Sequence, residues 1–154
     1  MKIGIIIHSQ SGNTRLVALK LQEKLSTLGH NVTIEPIEPI GDAHPGVKNL
    51  QLKTYPEIAK YEGLIFAAPV WAFNISPVLT AYLSQLSTLK DKKITAFVTM
   101  GFPFPWMGGN RAIAMLKKIC RTKGATIAAT AIICRSGNYQ KAITNMKEIF
   151  SEVY

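Results

Sequence analysis

Between Lys2 and His8, and again from Gly63 to Ala68, the chain is apolar at consecutive positions rather than at every second one. Strand side chains alternate between faces, so such a run must be covered from both sides, as a central strand of a parallel sheet is. Parallel neighbours need crossovers of a dozen residues or more, and the intervening segments supply them. Thr14–Leu28 sets Val17, Leu21, Leu25 and Leu28 on one helical face and Lys20 and Lys24 on another, and Gly29 ends it. Asn31–Ile37 alternates Val32, Ile34 and Pro36 with polar neighbours, as a strand nearer the edge does, and Pro36 and Pro39 stop it. Residues 39–62 hold Pro39, Gly41, Pro45, Gly46 and Pro56, which predicts loop with a short helix near Pro56–Lys60. Ser76-Pro77 reads as a helix cap followed by proline at the first helical position, with Leu79, Leu83 and Leu86 turned inward. Lys93–Met100 is a further strand, 110–123 a helix burying Ile113, Leu116 and Cys120, and Ala125–Cys134 the fifth strand. The last helix, Asn138–Val153, is expected to bury Ala142, Met146, Ile149 and Val153. The sum is one α/β domain over 1–154, a doubly wound five-stranded parallel sheet with helices on both faces.

In such a sheet ligands bind outside the carboxyl ends of the strands, where the strand order reverses. Loops 9–14, 69–76 and 101–109 reach that edge. The first is Ser9-Gln10-Ser11-Gly12-Asn13-Thr14. At a helix N-terminus the first backbone N–H groups lack intrahelical partners and carry the positive end of the dipole, so they accept an anion as ligand. Gly12 allows close approach, and Ser9, Ser11 and Thr14 add hydroxyls. The loop has no lysine and lacks GxxxxGK[ST] spacing, so it suits a terminal monophosphate held by neutral donors without a metal. The same hexapeptide also suits an ordinary Ser/Asn-rich turn capping a helix. The other two loops carry Trp71, Phe73, Phe102, Phe104 and Trp106 and no charged residue. A planar aromatic ligand with a phosphate tail matches both halves of this edge.

Composition narrows the partners. No stretch approaches the ~20 consecutive apolar residues of a membrane span, and Met1-Lys2 runs straight into an apolar strand, so a soluble, cytoplasmic protein without membrane insertion is expected. The net charge of +9 raises nucleic acid as a partner, but Lys90, Lys92 and Lys93 gather with Lys117, Lys118, Arg121 and Lys123 at the pole opposite the anion loop. A solvated lysine pole explains them better than a polyanion site, and no RNA-binding aromatic motif or helix-turn-helix pattern supports the latter. His8, His30 and His44 show no metal spacing, and His8 reads as a hydrogen-bonded, semi-buried histidine. Cys120 and Cys134 fall near opposite ends of the fifth strand, beyond disulfide reach, and read as buried thiols.

On these residues the chain resembles, over its full length, the flavodoxin-like family of FMN-binding proteins. Ser9-Gln10-Ser11-Gly12-Asn13-Thr14 follows the family's [ST]-x-[ST]-G-x-T phosphate loop, in its place after the first strand. Ala68-Pro69-Val70-Trp71 followed by Ser76-Pro77 is similar to the second flavin loop of the branch with small FMN-dependent NAD(P)H oxidoreductases, and Gly101 to Gly109 takes the place of the third. The resemblance implies strand order 2-1-3-4-5, with the FMN phosphate on the Ser9–Thr14 loop. It sets the ring between Pro69, Val70, Trp71, Ala72, Phe73 and Asn74 on one side and Met100, Gly101, Phe102, Trp106 and Gly109 on the other, with Trp71 and Trp106 as first stacking partners.

Two departures from the acidic electron carriers of the family bear on function. Neither flavin loop carries Asp or Glu, so negative charge on a reduced ring is less disfavoured and a less negative second potential is expected. Nor does a glycine lie between Pro69 and Ser76 to ease the peptide flip by which carriers bond the half-reduced ring. The expected function is an FMN-dependent oxidoreductase passing electrons from a nicotinamide nucleotide to a small acceptor such as a quinone. The alternative is a flavodoxin-type one-electron carrier between redox partner proteins, and a third reading keeps the fold for a non-redox role. No side chain stands out as a catalytic acid or base. Arg15, Arg111 and Arg135 fall near the functional edge, where each is either a phosphate or partner contact or a plain surface arginine.

Overall fold

The apolar runs form the middle of the sheet. The computed structural model describes residues 1–154. It places β1 (Lys2–Ile7), α1 (Asn13–Thr27), β2 (Asn31–Pro36), β3 (Gly63–Trp71), β4 (Asn74–Ile75), α2 (Pro77–Gln85), β5 (Lys93–Met100), α3 (Gly109–Thr122), β6 (Ile127–Cys134) and α4 (Tyr139–Val153) in that order. The parallel sheet runs β2-β1-β3-β5-β6, which is the expected 2-1-3-4-5 order of the five main strands. The sixth strand, β4, is a two-residue arm that folds back antiparallel on the end of β3, pairing Trp71 with Asn74. The reversal of order lies between β1 and β3, so their carboxyl ends open the crevice that a ligand occupies.

Each face of the sheet has its own core. Val17, Leu21 and Leu25 of α1 and Ile143, Met146 and Phe150 of α4 pack on Ile3, Ile5, Ile7 and Phe97. Leu79 and Leu83 of α2 and Leu116 of α3 pack on Ile6, Leu64, Phe66 and Val98 from the other side. Most of these side chains are wholly buried, so truncating a leucine such as Leu21 or Leu116 to alanine costs about 2–5 kcal/mol. Two glycines in the central strands make room for tyrosine rings laid flat on the sheet. A Cβ on Gly4 would stand 2.6 Å from the Tyr61 ring, and one on Gly63 2.6 Å from the Tyr154 ring. Tyr154 donates to the Leu64 carbonyl (2.7 Å) and accepts from the Thr95 N–H (3.1 Å), which fixes the end of the chain to the sheet.

Three sequence expectations are corrected. Leu28 is the residue after α1 and half-exposed, because the helix closes with the Gly29 N–H on the Ser26 carbonyl. In α4 the buried phase is Ile143, Met146 and Phe150; Ala142 and Val153 are only partly buried and Ile149 is exposed. Ile149 and Phe150 are adjacent, only one can face the sheet, and the larger side chain buries more apolar area. No helix forms at Pro56–Lys60. There the Pro56 carbonyl accepts from the Tyr82 hydroxyl (2.5 Å), and the carbonyls of Ile58 (3.1 Å), Ala59 (3.3 Å) and Tyr61 accept from the Lys92 ammonium. These bonds replace the helical ones, and the whole β2–β3 connection runs as coil with one bridge, Pro39 to Leu52. No helix of the chain is long and apolar enough to cross a membrane.

Candidate cofactor site

The chain leaves β1 at His8 and enters α1 through Gly12, whose φ of +93° lies in the left-handed region and whose missing Cβ faces nothing within 4 Å. Gly12 is the N-cap residue, and from outside the helix the Ser9 Oγ accepts from the first-turn Arg15 N–H at 3.2 Å, a capping bond supplied at a distance. The capping and anion-binding readings of the hexapeptide therefore coexist, because the backbone N–H groups of residues 10 to 14 find no partner within the chain. Ser11 Oγ accepts from Asn13 Nδ2 (3.0 Å), which leaves its own proton free to donate outward. Thr14 is buried and shares a hydrogen bond with Thr99 on β5, Oγ1 to Oγ1 at 2.8 Å, tying the loop to the sheet.

Gln10, Ser11, Asn13 and Thr14 open into a cavity of about 160 Å³ that is closed on the far side by Thr99, Gly101 and Arg135. Arg135 begins the turn after β6. Its N–H donates to the Met100 carbonyl (2.9 Å) and the next hydroxyl, Ser136, donates to the Gly101 carbonyl (2.6 Å), so the turn is sewn to the end of β5. Arg135 is the one ionised side chain on this cavity. Arg15 and Arg111 are exposed and stand outside it.

The second loop is a tight hairpin. Ala72 (φ +49°) and Phe73 (φ +63°) are its two central residues, and both lie in the left-handed region, the signature of a type I′ turn that usually takes glycine or asparagine. Asn74 fixes the return strand, its Oδ1 accepting from the Ile75 N–H at 2.8 Å. Trp71 and His8 meet in a T-shaped pair, ring centroids 5.1 Å apart at 85°. His8 Nδ1 and Ser76 Oγ share a 2.6 Å hydrogen bond, and Ser76 Oγ also accepts from the Val78 N–H as the cap of α2. Burial pushes the imidazole down from 6.5 to about 4, so His8 is neutral at physiological pH. It links the first loop, the hairpin and α2 without adding charge.

The third loop faces the hairpin. The Phe73 and Phe102 rings are parallel within 5°, 5.9 Å between centroids, and line a cavity of about 230 Å³ with Val70, Ala72, Met100 and Met107. Gly108 (φ +114°) supports the hairpin from behind, since a Cβ there would lie 2.7 Å from the Phe73 Cα. Gly109 is buried, its missing Cβ against Ile132 and Met100, and so permits packing instead of facing the cavity. Trp106 stacks on Phe104 at 5.9 Å and is 71% exposed, outside both cavities. The structure thus gathers residues 10, 11, 13 and 14 with Pro69 to Phe73 and Met100 to Phe102, and leaves Ser9, Gly12, Asn74, Trp106 and Gly109 off the walls of these two cavities. Thr99, Met107 and Arg135 complete the walls. Thr99 and Met107 carry no local signal, being polar in a strand and apolar in a loop, while Arg135 was one of three equivalent arginines.

The donor set fits a phosphate monoester: unpaired N–H groups, free hydroxyls and a guanidinium converge on one small cavity, and an uncharged apolar slot adjoins it for a planar ring. Solved structures share this architecture at low sequence identity. Flavodoxin 2 from Bacillus cereus aligns with a TM-score of 0.72 at 18% identity, covering 100% of both chains. The flavodoxin of Streptococcus pneumoniae TIGR4 gives 0.73 at 13%, covering 99% of this chain and 97% of its own. A flavoprotein from Lactobacillus acidophilus NCFM, solved in complex with FMN, gives 0.66 at 14%, over 85% and 92%. No curated protein sequence matches the chain. The fold is therefore flavodoxin-like. Residues 1–138 match the family model of NADPH-dependent FMN reductases, and the chain belongs to that family. It is an FMN-binding flavoprotein oxidoreductase.

Proposed function

We propose that the protein is a two-electron, NADPH-dependent oxidoreductase that delivers electrons to a small acceptor of the quinone class. The observation that carries this reading is the Ala72-Phe73 turn. In a type I′ turn, flipping the central peptide produces a type II′ turn and leaves the first central residue at φ near +60° and ψ near −120°, a region that glycine alone enters cheaply. That residue is Ala72, and the pairing of Trp71 with Asn74 clamps the turn on both sides. A loop held in one state is poorly suited to stabilising a one-electron stage and well suited to passing electrons in pairs.

When bound, FMN supplies the hydride chemistry, accepting from the nicotinamide and giving to the acceptor. The residues of this chain position and insulate it. The N–H groups of residues 10 to 14, the Ser11 hydroxyl and Arg135 hold the phosphate, while Val70, Phe73, Phe102 and Met107 shed water from the ring slot. No carboxylate lines either cavity, which lowers the cost of negative charge at the ring. Both cysteines are free buried thiols, in keeping with work in the reducing cytoplasm. An anaerobic titration tests the reading: NADPH should bleach the FMN-loaded protein in one step, and menadione should restore the colour with turnover. No bleaching by NADPH, together with rapid electron exchange with a redox partner protein, would establish the carrier reading instead.

A further inference from the structure

Two features of the chain take no part in holding the cofactor: the second aromatic pair of the third loop and the net positive charge. Phe104 and Trp106 stack on each other, parallel within 7°, and stand 52% and 71% exposed. Pro103 and Pro105 restrict the backbone on either side of Phe104. The Met107 N–H donates to the Phe104 carbonyl (3.1 Å) and the Asn110 N–H to the Pro105 carbonyl (2.9 Å), so the two rings are held out on a firm tip. Adjacent exposed rings of this size mark a surface that another body covers.

The charge shows what kind of body. From Gly63 to Lys147 the chain carries eleven lysines and arginines and a single carboxylate, Asp91, which precedes β5 at the opposite end of the sheet. Arg111 lies in the first turn of α3, directly after the tip. On the other face of the sheet α4 starts beside the same loop, since a Cβ on Gly137 would lie 2.9 Å from the Pro103 carbonyl oxygen, and Lys141 is in its first turn. Both cations are exposed and neither makes an ion pair. The nearest acidic loop, with Glu38 and Asp42, follows β2 at the far edge of the sheet.

We propose that this tip docks the protein on an anionic lipid surface, with Phe104 and Trp106 entering the headgroup layer and Arg111 and Lys141 against the lipid phosphates. Exposed tryptophan and phenylalanine settle at that depth, and each lysine or arginine near an anionic bilayer strengthens binding roughly fivefold. A second copy of this chain would set like charges against each other. A nucleic-acid base or a protein side chain needs a recess or a free ring face, whereas here each ring already covers one face of the other; a headgroup layer closes around any projection. Phe102 and Met107, before and after the tip, line the ring slot, so a bilayer docked there lies beside its mouth. Docking does not depend on the two-electron reading.

FMN-loaded protein sedimented at physiological salt with vesicles of equal parts phosphatidylcholine and phosphatidylglycerol tests the proposal. Binding to these vesicles and not to phosphatidylcholine alone is expected. Trp106→Ala should weaken it at least fivefold, and Arg111→Gln with Lys141→Gln about tenfold or more. Lys90→Gln with Arg121→Gln removes the same charge at the opposite pole, beyond the reach of screened attraction, and should stay within twofold of wild type. FMN retention should be the same in every variant. No sedimentation, equal weakening by the two charge pairs, or wild-type binding in Trp106→Ala overturns the proposal. So does tighter binding of a single-stranded RNA with the same dependence on Trp106, which would assign the tip to nucleic acid.

Discussion

Two turns at the same edge of the sheet solve the same backbone problem in opposite ways. The loop from Ser9 to Thr14 places its positive φ on Gly12, faces open space and leaves five consecutive N–H groups unpaired. The hairpin from Trp71 to Asn74 places its positive φ values on Ala72 and Phe73, pairs its strands and is braced by Gly108 behind it. The first turns its donors outward; the second pairs its own and carries strain. Changes in the first should therefore be read in cofactor binding with the fold intact, and changes in the second in stability and electron stoichiometry.

The sharpest break of that contrast is Gly12→Val. A β-branched side chain strongly disfavours φ near +93°, so the loop has to reorganise and its N–H groups lose their common focus. FMN affinity should fall on the order of a thousandfold, about 4 kcal/mol, while far-UV circular dichroism stays unchanged. Wild-type affinity in this variant would mean that the loop does not hold the phosphate.

His8 joins the two turns, and its titration measures the join. The imidazole is 3% exposed and pushed down from 6.5 to about 4 by burial, so the unfolded chain takes up a proton at a pH where the folded chain does not. The stabilising contribution is full above pH 6.5 and is lost as the pH falls from there towards 4, up to roughly 3 kcal/mol. Denaturant unfolding of wild type and His8→Gln at pH 7 and pH 4.5 isolates this share. A difference between the two proteins that does not change with pH would show that burial of His8 is not what sets it.

What could be read from the sequence follows the same division. Gly12 and its hydroxyl neighbours announce themselves because glycine and serine have few other reasons to stand between an apolar strand and a helix, and Ser76-Pro77 marks its helix start for a comparable local reason. The His8, Trp71 and Ser76 cluster was not legible, because its members come from separate elements and meet only when β1 and β3 pair. The hairpin was hidden since neither Ala72 nor Phe73 signals a left-handed turn; the requirement comes from the pairing of Val70 with Ile75 and the packing of Phe73 on Gly108. The helix expected at Pro56–Lys60 failed because Tyr82 and Lys92, both distant in sequence, claim the carbonyls it needed. Lys92, one of the lysines of the basic pole, holds this turn together through its ammonium.

Arg135 sets the scale of the electrostatic part of the first region. It is exposed to solvent while lining the phosphate cavity, so its attraction is screened. Arg135→Ala should weaken FMN about tenfold at low salt and flatten the salt dependence of binding, while riboflavin, which has no phosphate, should bind both proteins equally. An equal loss for riboflavin would assign Arg135 to the ring and not to the phosphate.

The smallest change, Ala72→Gly, separates strain from function in the hairpin. An alanine in the left-handed region costs about 1 kcal/mol, which glycine removes, but glycine also adds freedom to the unfolded chain and returns much of that gain. The net effect on stability should be no more than about 0.5 kcal/mol in favour of the variant, because the two terms nearly cancel. Reduction behaviour has no such cancellation. With glycine at position 72 the II′ geometry is accessible, the central peptide is free to turn over, and the anaerobic titration should resolve into separate one-electron stages where the wild type takes two electrons together. Phe73 keeps its place on Phe102 throughout, so the ring slot is unaltered and any change is that of the backbone. A titration that stays a single step in Ala72→Gly would show that the locked turn is not what couples the electrons, and the pairing would then have to arise from the uncharged walls of the slot.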